Sequence, residues 1–248
     1  MPNPPEFIRP DWPAPARVRA AVTTRQGGVS AAPYASLNLG SHVGDAPEAV
    51  AENRRRVSAA LALPQEPAWL NQVHGTAVVR AEAAVDGPAT ADASVALGAG
   101  SVCAVMTADC LPVLFCDDAG TRVAAAHAGW RGLEAGVLEA TILALDCSPA
   151  MLMAWLGPAI GPSAFEVGPE VRAAFLARDP GAEACFMPSP AGRWLADIYR
   201  LARRRLNAAG VTAIYGGDFC TVGESARFFS YRRDRDTGRF ASLIWLMP

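Results

Sequence analysis

SVCAVMTADCLPVLFCDDAGTRVAAAHAGWRGLEAGVLEATILAL, Ser101 to Leu145, decides how this chain folds. It holds three short apolar runs, SVCAVMTA, LPVLFCD and RVAAAHA, separated by polar and glycine-containing breaks. Runs of this length, rich in valine and bounded by turn residues, read as strands. Their apolarity is continuous rather than alternating, which predicts burial on both faces. GLEAGVLEATILAL, opening at Gly132, then reads as one helix ending near Asp146 to Pro149. The nucleus is therefore a sheet covered by helices.

The flanking sequence extends the pattern. AWLNQV, TAVVRA and ADASVAL upstream and MLMAWLG downstream read as further strands, and AVTTR, Ala21–Arg25, as the first. Asp45 is placed to cap a helix with Pro47 in its first turn, running to about Leu63. PEVRAAFLAR and RWLADIYRLARRRLNAAG read as two amphipathic helices, the second stopped by Gly210. FFSYRRDRDTGRFASLIWL reads as a hairpin around Asp236, Thr237 and Gly238. No linker interrupts this order. The expectation is a single mixed-sheet α/β domain with covering helices over residues 21–248, preceded by a proline-rich extension over residues 1–20.

Composition narrows the function. With 248 residues, 51% apolar and 19% charged, the chain has ample core, and a net charge of −2 offers no broad surface for nucleic acid or anionic membrane. Arg232, Arg233 and Arg235 alternate with Asp234 and Asp236, which reads as a solvated loop. No window approaches the roughly 18 apolar residues of a membrane helix. Six cysteines without a CxxC pair, several inside apolar runs, are free thiols of a reducing compartment, so a cytoplasmic location is expected. GxGxxG, P-loop and GxSxG patterns are absent.

What remains is a small set of reactive side chains. Cys110 lies where the polar Thr107 and Asp109 interrupt an apolar stretch, and His127 lies seventeen residues later in AAAHAGWRG. His74, in NQVHG, lies thirty-six residues before Cys110. One cysteine and two histidines supply three donors of the kind zinc accepts, leaving a fourth position for water. The same atoms could instead form a histidine-activated thiolate, with Cys110 as nucleophile. Gly129 and Gly132, at a helix start beside His127, would leave backbone N–H groups for an anion, with Arg131 as its partner.

NLGSHVGD (38–45), NQVHG (71–75), ADA (91–93), TADCLPVLF (107–115), AAHAGWRG (125–132), GPAIGP (157–162) and FEVG (165–168) occur in the order found in the YfiH-like or laccase-domain family, which the chain resembles from about Ala21 to Leu246. The resemblance implies zinc held by His74, Cys110 and His127. It implies action on purine nucleosides: phosphorolysis of adenosine, inosine and methylthioadenosine, and deamination of adenosine. The family is also described as a copper-dependent polyphenol oxidase and as an editing factor for peptidoglycan precursors. Three histidines in the whole chain, His42, His74 and His127, cannot furnish several copper sites, so copper is expected at most in the single Cys/His site. Deamination calls for a carboxylate to move protons, for which Asp109 is the first candidate and Glu166 the second. Phosphorolysis calls for a phosphate seat, for which Arg25 or Arg131 is the candidate, with His42 lining the cleft. The partners expected are a purine nucleoside and phosphate, acted on by a monomer or weak oligomer.

Overall fold

The computed structural model describes residues 4–84 and 87–248; the first three residues of the proline-rich segment lie outside them. Two sheets stacked face to face form the centre. One has four strands in the order Phe7–Ile8, Val18–Thr23, Phe240–Leu246, Val102–Thr107, all antiparallel. The other has six, in the order Ala213–Gly216, Leu152–Leu156, Leu111–Asp117, Val123–Ala128, Ala93–Ala96, Val78–Arg80, antiparallel at its centre and parallel at both ends.

The continuous apolar runs follow from this layering. Successive residues of a strand point to opposite faces, and here both faces are covered. Leu114, Cys116 and Ala125 of the six-stranded sheet pack on Val22, Val105 and Ile244 of the four-stranded one. Leu111, Val113, Phe115 and Ala126 point the other way, into a core with Leu133, Leu138, Leu201 and Leu206 from the helices. The outer face of the four-stranded sheet, through Ala21, Ala104 and Leu243, is covered by Val57 and Leu61 of the helix Pro47–Leu61. A helix, two sheets and a second helical layer thus make a single mixed α/β domain.

Local departures from the expected elements have local causes. The first long strand starts at Val18, not Ala21, and Phe7–Ile8 within the proline-rich segment pairs with it. The helix expected from Gly132 is two, Trp130–Ala135 and Val137–Ala144, because Gly136 takes a φ of +109° and turns the axis. RWLADIYRLARRRLNAAG divides as well. Arg193–Ala196 is a strand between Glu166–Val167 and Phe186–Ser189, and the helix Ile198–Ala208 begins only after Asp197, whose carboxylate accepts the Arg200 N–H. The C-terminal hairpin does not form: Tyr231–Asp234 is a short helix, and Phe240–Leu246 is a central strand between two others.

Candidate metal centre and active site

The turn between Val102–Thr107 and Leu111–Asp117 carries the chain from one sheet to the other, and Cys110 sits in it. His127 is the penultimate residue of Val123–Ala128, beside the start of Leu111–Asp117 with which it pairs. His74 follows the two-residue strand Leu70–Asn71 on a loop, at a φ of +61°. One potential ligand atom from each of the three lies within 4.8 Å of the others. The two imidazole rings meet edge to face with centroids 4.7 Å apart. His127 is buried, Cys110 half-buried and His74 exposed, so the group is open on one side.

Asp92 holds this arrangement. It is fully buried at the start of Ala93–Ala96, and its carboxylate accepts four hydrogen bonds. Oδ1 accepts from the His74 N–H at 2.9 Å and from His127 Nδ1 at 2.8 Å; Oδ2 accepts from the Val73 and Gly75 N–H groups at 3.2 and 2.6 Å. Burial alone would raise the pKa of Asp92, yet these donors hold it below the ordinary value. Because Nδ1 of His127 is committed to Asp92, Nε2 is the nitrogen left for the His74–Cys110 side. Burial disfavours an imidazolium at His127, but the neighbouring Cys110 and Asp92 outweigh it and raise its pKa to about 9. Partial desolvation of the ring where it packs edge to face on His127, and that neighbour's charge, lower the pKa of His74. Burial pushes the Cys103 and Cys116 thiols up to about 12, which sets them apart as core residues.

The glycines after His127 have a different use from the one expected. A Cβ on Gly129 would stand 2.6 Å from His74 Nδ1 and 3.1 Å from Cys110 Sγ, and one on Gly132 would stand 2.9 Å from the Gly75 carbonyl oxygen. Their bareness lets the His74 loop close onto the group rather than leaving room for an anion.

The three residues open on a cavity of about 500 Å³, also lined by His42, Gln72, Asp109, Trp130, Arg131, Ile160, Phe165, Tyr231, Arg232 and Arg239. Asp109 is present, but both its oxygens are engaged: Thr221 Oγ1 donates to Oδ1 and the Arg232 N–H to Oδ2, each at 2.6 Å. Glu166 is not among the lining residues; its carboxylate takes a hydrogen bond from Ser189 and an ion pair from Arg193. Arg25 is also elsewhere, donating to the carbonyls of Ala35 and Ser225 and lying over the Phe229 ring. Arg131 and His42 do face the cavity. Arg232, expected on a solvated loop, lines it too, and Arg233 is tied to the carbonyls of Thr221, Val222 and Phe228. Sequence reasoning missed Asp92, Arg232 and Arg239. A lone acid opening the apolar run ADASVAL was the available signal for Asp92; Arg239, inside an expected hairpin, gave none.

The chain is a mixed α/β protein whose His–Cys–His group, lining a cationic and aromatic cavity, could hold a metal ion. Residues 19–247 match the family described as multi-copper polyphenol oxidoreductase laccase, and the chain belongs to that family. It is 62% identical to a purine nucleoside phosphorylase of Pseudomonas aeruginosa, over 97% of this chain and 98% of that one. It is 58% identical to purine nucleoside phosphorylase YfiH of Escherichia coli, over 98% and 99%. Among solved structures, a Neisseria meningitidis protein superposes with a TM-score of 0.95 at 57% identity, covering 98% of this chain and 99% of that one. YlmD of Geobacillus stearothermophilus gives 0.91 at 33%, covering 98% and 96%. No helix among the described residues is long and apolar enough to cross a membrane.

Proposed function

We propose that this chain is a zinc-dependent purine nucleoside phosphorylase, cleaving adenosine, inosine and methylthioadenosine with phosphate, and that the same site deaminates adenosine. The observation that carries the reading is the meeting of His74, Cys110 and His127 on the floor of a cavity whose walls are aromatic and cationic. Two imidazoles and a thiolate suit zinc, and the buried carboxylate behind His127 is the partner such a ligand ordinarily has. Bound there, zinc supplies a Lewis acid and a water of lowered pKa.

The chain's own residues do the rest. Trp130, Phe165 and Tyr231 offer apolar faces to a purine. Arg131 and His42 face the same space and offer donors to phosphate or ribose. Asp109, with Thr221 and the Arg232 N–H on its two oxygens, orients the turn that presents Cys110. Glu166, tied to Ser189 and Arg193, lies outside the cavity lining and is not placed to carry a proton there.

One copper in the same donor set is chemically acceptable, but a multicopper cluster is not, since the only other histidine, His42, stands outside the group. Six free cysteines fit a cytoplasmic enzyme, working as a monomer or weak oligomer with small molecules alone. Metal-loaded protein incubated with adenosine and orthophosphate should yield adenine, ribose 1-phosphate and inosine, and Cys110→Ala should abolish all three. Absence of every product from the native protein sinks the reading.

A further inference from the structure

Three guanidinium groups, Arg131, Arg232 and Arg239, line the cavity, and none forms an ion pair among the described residues. The one carboxylate lining it, Asp109, has both oxygens engaged by Thr221 and the Arg232 N–H. Arg131 and Arg232 are exposed, while Arg239 is partly buried with Asp109 as the nearby carboxylate. Three cations against one carboxylate leave the lining net positive, the setting an anionic ligand favours.

Arg239 is the most deliberately placed of the three. Its main chain is locked to the segment that carries His42. The Arg239 N–H donates to Asn38 Oδ1 at 2.8 Å, and the Leu39 N–H donates to the Arg239 carbonyl at 3.0 Å. Asn38 is fully buried; its Oδ1 also accepts the Gly40 N–H, and its Nδ2 donates to the Gly40 carbonyl and to Asp45. The helix Pro47–Leu61 grips the same segment, Asn53 donating to the Asn38 carbonyl and Arg54 donating twice to that of Leu39. The Arg239 stem lies on bare Gly40, where a Cβ would stand 2.9 Å from Arg239 Cγ. Of the guanidinium, Nη1 donates to the Thr237 and Gly238 carbonyls, while Nε and Nη2 have no protein acceptor among the described residues. That leaves the forked edge of the group, the side that pairs with two oxygens of one oxyanion.

We propose that Arg239, set by Asn38 and Gly40 and accompanied by His42 on the same segment, is the seat for free orthophosphate in this cavity, and that Asn38 is its positioning residue. The assignment rests on the phosphorylase reading for its meaning, not for its geometry. Burial and the cations Arg239 and Arg54 lower the His42 pKa, so that ring adds a neutral donor to the seat.

The test is thermal unfolding of metal-loaded protein titrated with orthophosphate, run beside steady-state kinetics. Orthophosphate should raise the melting temperature of the native protein, and Arg239→Gln should remove that rise and lift the KM for phosphate at least tenfold. Arg239→Lys, which keeps the charge but not the fork, should lift it less. Gly40→Ala, which displaces the stem without touching the guanidinium, should weaken the phosphate shift in parallel with Arg239→Gln while metal content holds. The ratio of phosphorolysis to deamination should fall by the same factor as the phosphate affinity.

An orthophosphate shift that survives in both Arg239→Gln and Arg239→Lys overturns the proposal. So does a shift given by adenosine 5′-monophosphate and not by orthophosphate, which would assign the seat to a nucleotide's phosphoryl group. A native protein that converts no nucleoside but loses its orthophosphate shift on Arg239→Gln refutes the phosphorylase reading and leaves the seat standing.

Discussion

Replacing Asp92 by Asn is the sharpest way to ask whether the centre is held from behind. The carboxylate accepts two hydrogen bonds on each oxygen, from His74 N–H and His127 Nδ1 on one side and from Val73 and Gly75 N–H on the other. An amide can present an acceptor to only one side, and its NH2 then faces two donors. With the oxygen kept toward His127, the Val73 and Gly75 amides lose their acceptor at about 1 kcal/mol each, the low end of the range because both are only partly buried. The bond to His127 also falls from charge-assisted to neutral strength, a further loss of about 1 kcal/mol. The sum is about 2–4 kcal/mol, a large share of a typical 5–15 kcal/mol stability. The loop can instead peel away and keep its amides wet, in which case the loss appears as metal affinity, about 10- to 100-fold for a ligand's supporting partner. Urea unfolding and competition with a chelator measure both quantities on one preparation. An Asp92→Asn protein with native urea midpoint and native metal affinity would refute the reasoning, because no rotation of the amide satisfies all four donors.

Gly129→Ala places a methyl between His74 Nδ1 and Cys110 Sγ, and chelator competition should show a metal affinity reduced at least tenfold with far-ultraviolet circular dichroism unchanged. Phe115→Ala empties a fully buried site in the six-stranded sheet and should cost about 3–5 kcal/mol in urea unfolding. Metal binding should depend on pH through His127, whose proton must leave before its nitrogen can bind: with that pKa raised to about 9, apparent affinity should rise about tenfold per pH unit from 7 toward 9 and flatten above it. The metal-free protein should show the opposite trend. A raised pKa contributes stability that is fully present below the ordinary value of 6.5 and is lost as pH climbs through about 9, so its melting temperature should fall across that window.

The layers of the fold could be read from the sequence because burial on both faces leaves a direct trace: SVCAVMT and LPVLFCD carry no alternation, and both strands are sandwiched between covered faces. The failures arose where one residue overrules a pattern. Gly136 sits inside an otherwise continuous helical periodicity, and only its positive φ divides the helix. RWLA has a helix-compatible composition, and it is a strand because Phe186–Ser189 and Glu166–Val167 lie on either side of it. The three donors were legible because His and Cys are scarce and chemically distinctive. Arg232 was not, since a charge run interleaved with aspartates has the composition of a solvated loop whether or not it borders a cavity, and Arg239 stood inside an expected hairpin with no chemical signal of its own. Glu166 failed for the converse reason: a carboxylate in a suggestive motif is satisfied locally by Ser189 and Arg193.

The location of the centre explains why its donors are so far apart in sequence. The turn at Cys110 is a bridge between the two sheets, and His127 stands one strand away in the six-stranded sheet. His74 belongs to neither sheet. It comes from a loop that Gln72 ties to the Met106 main chain and that Asp92 fixes by accepting three consecutive N–H groups while orienting His127. A single buried carboxylate therefore sets two of the three donors, and the third is set by a turn whose own aspartate, Asp109, is clamped by Thr221 and Arg232. Asp109 is the one carboxylate among the lining residues, against Arg131, Arg232 and Arg239, so the cavity is net positive. A lining of that charge suits an anionic ligand, which the phosphate of the proposed phosphorolysis supplies.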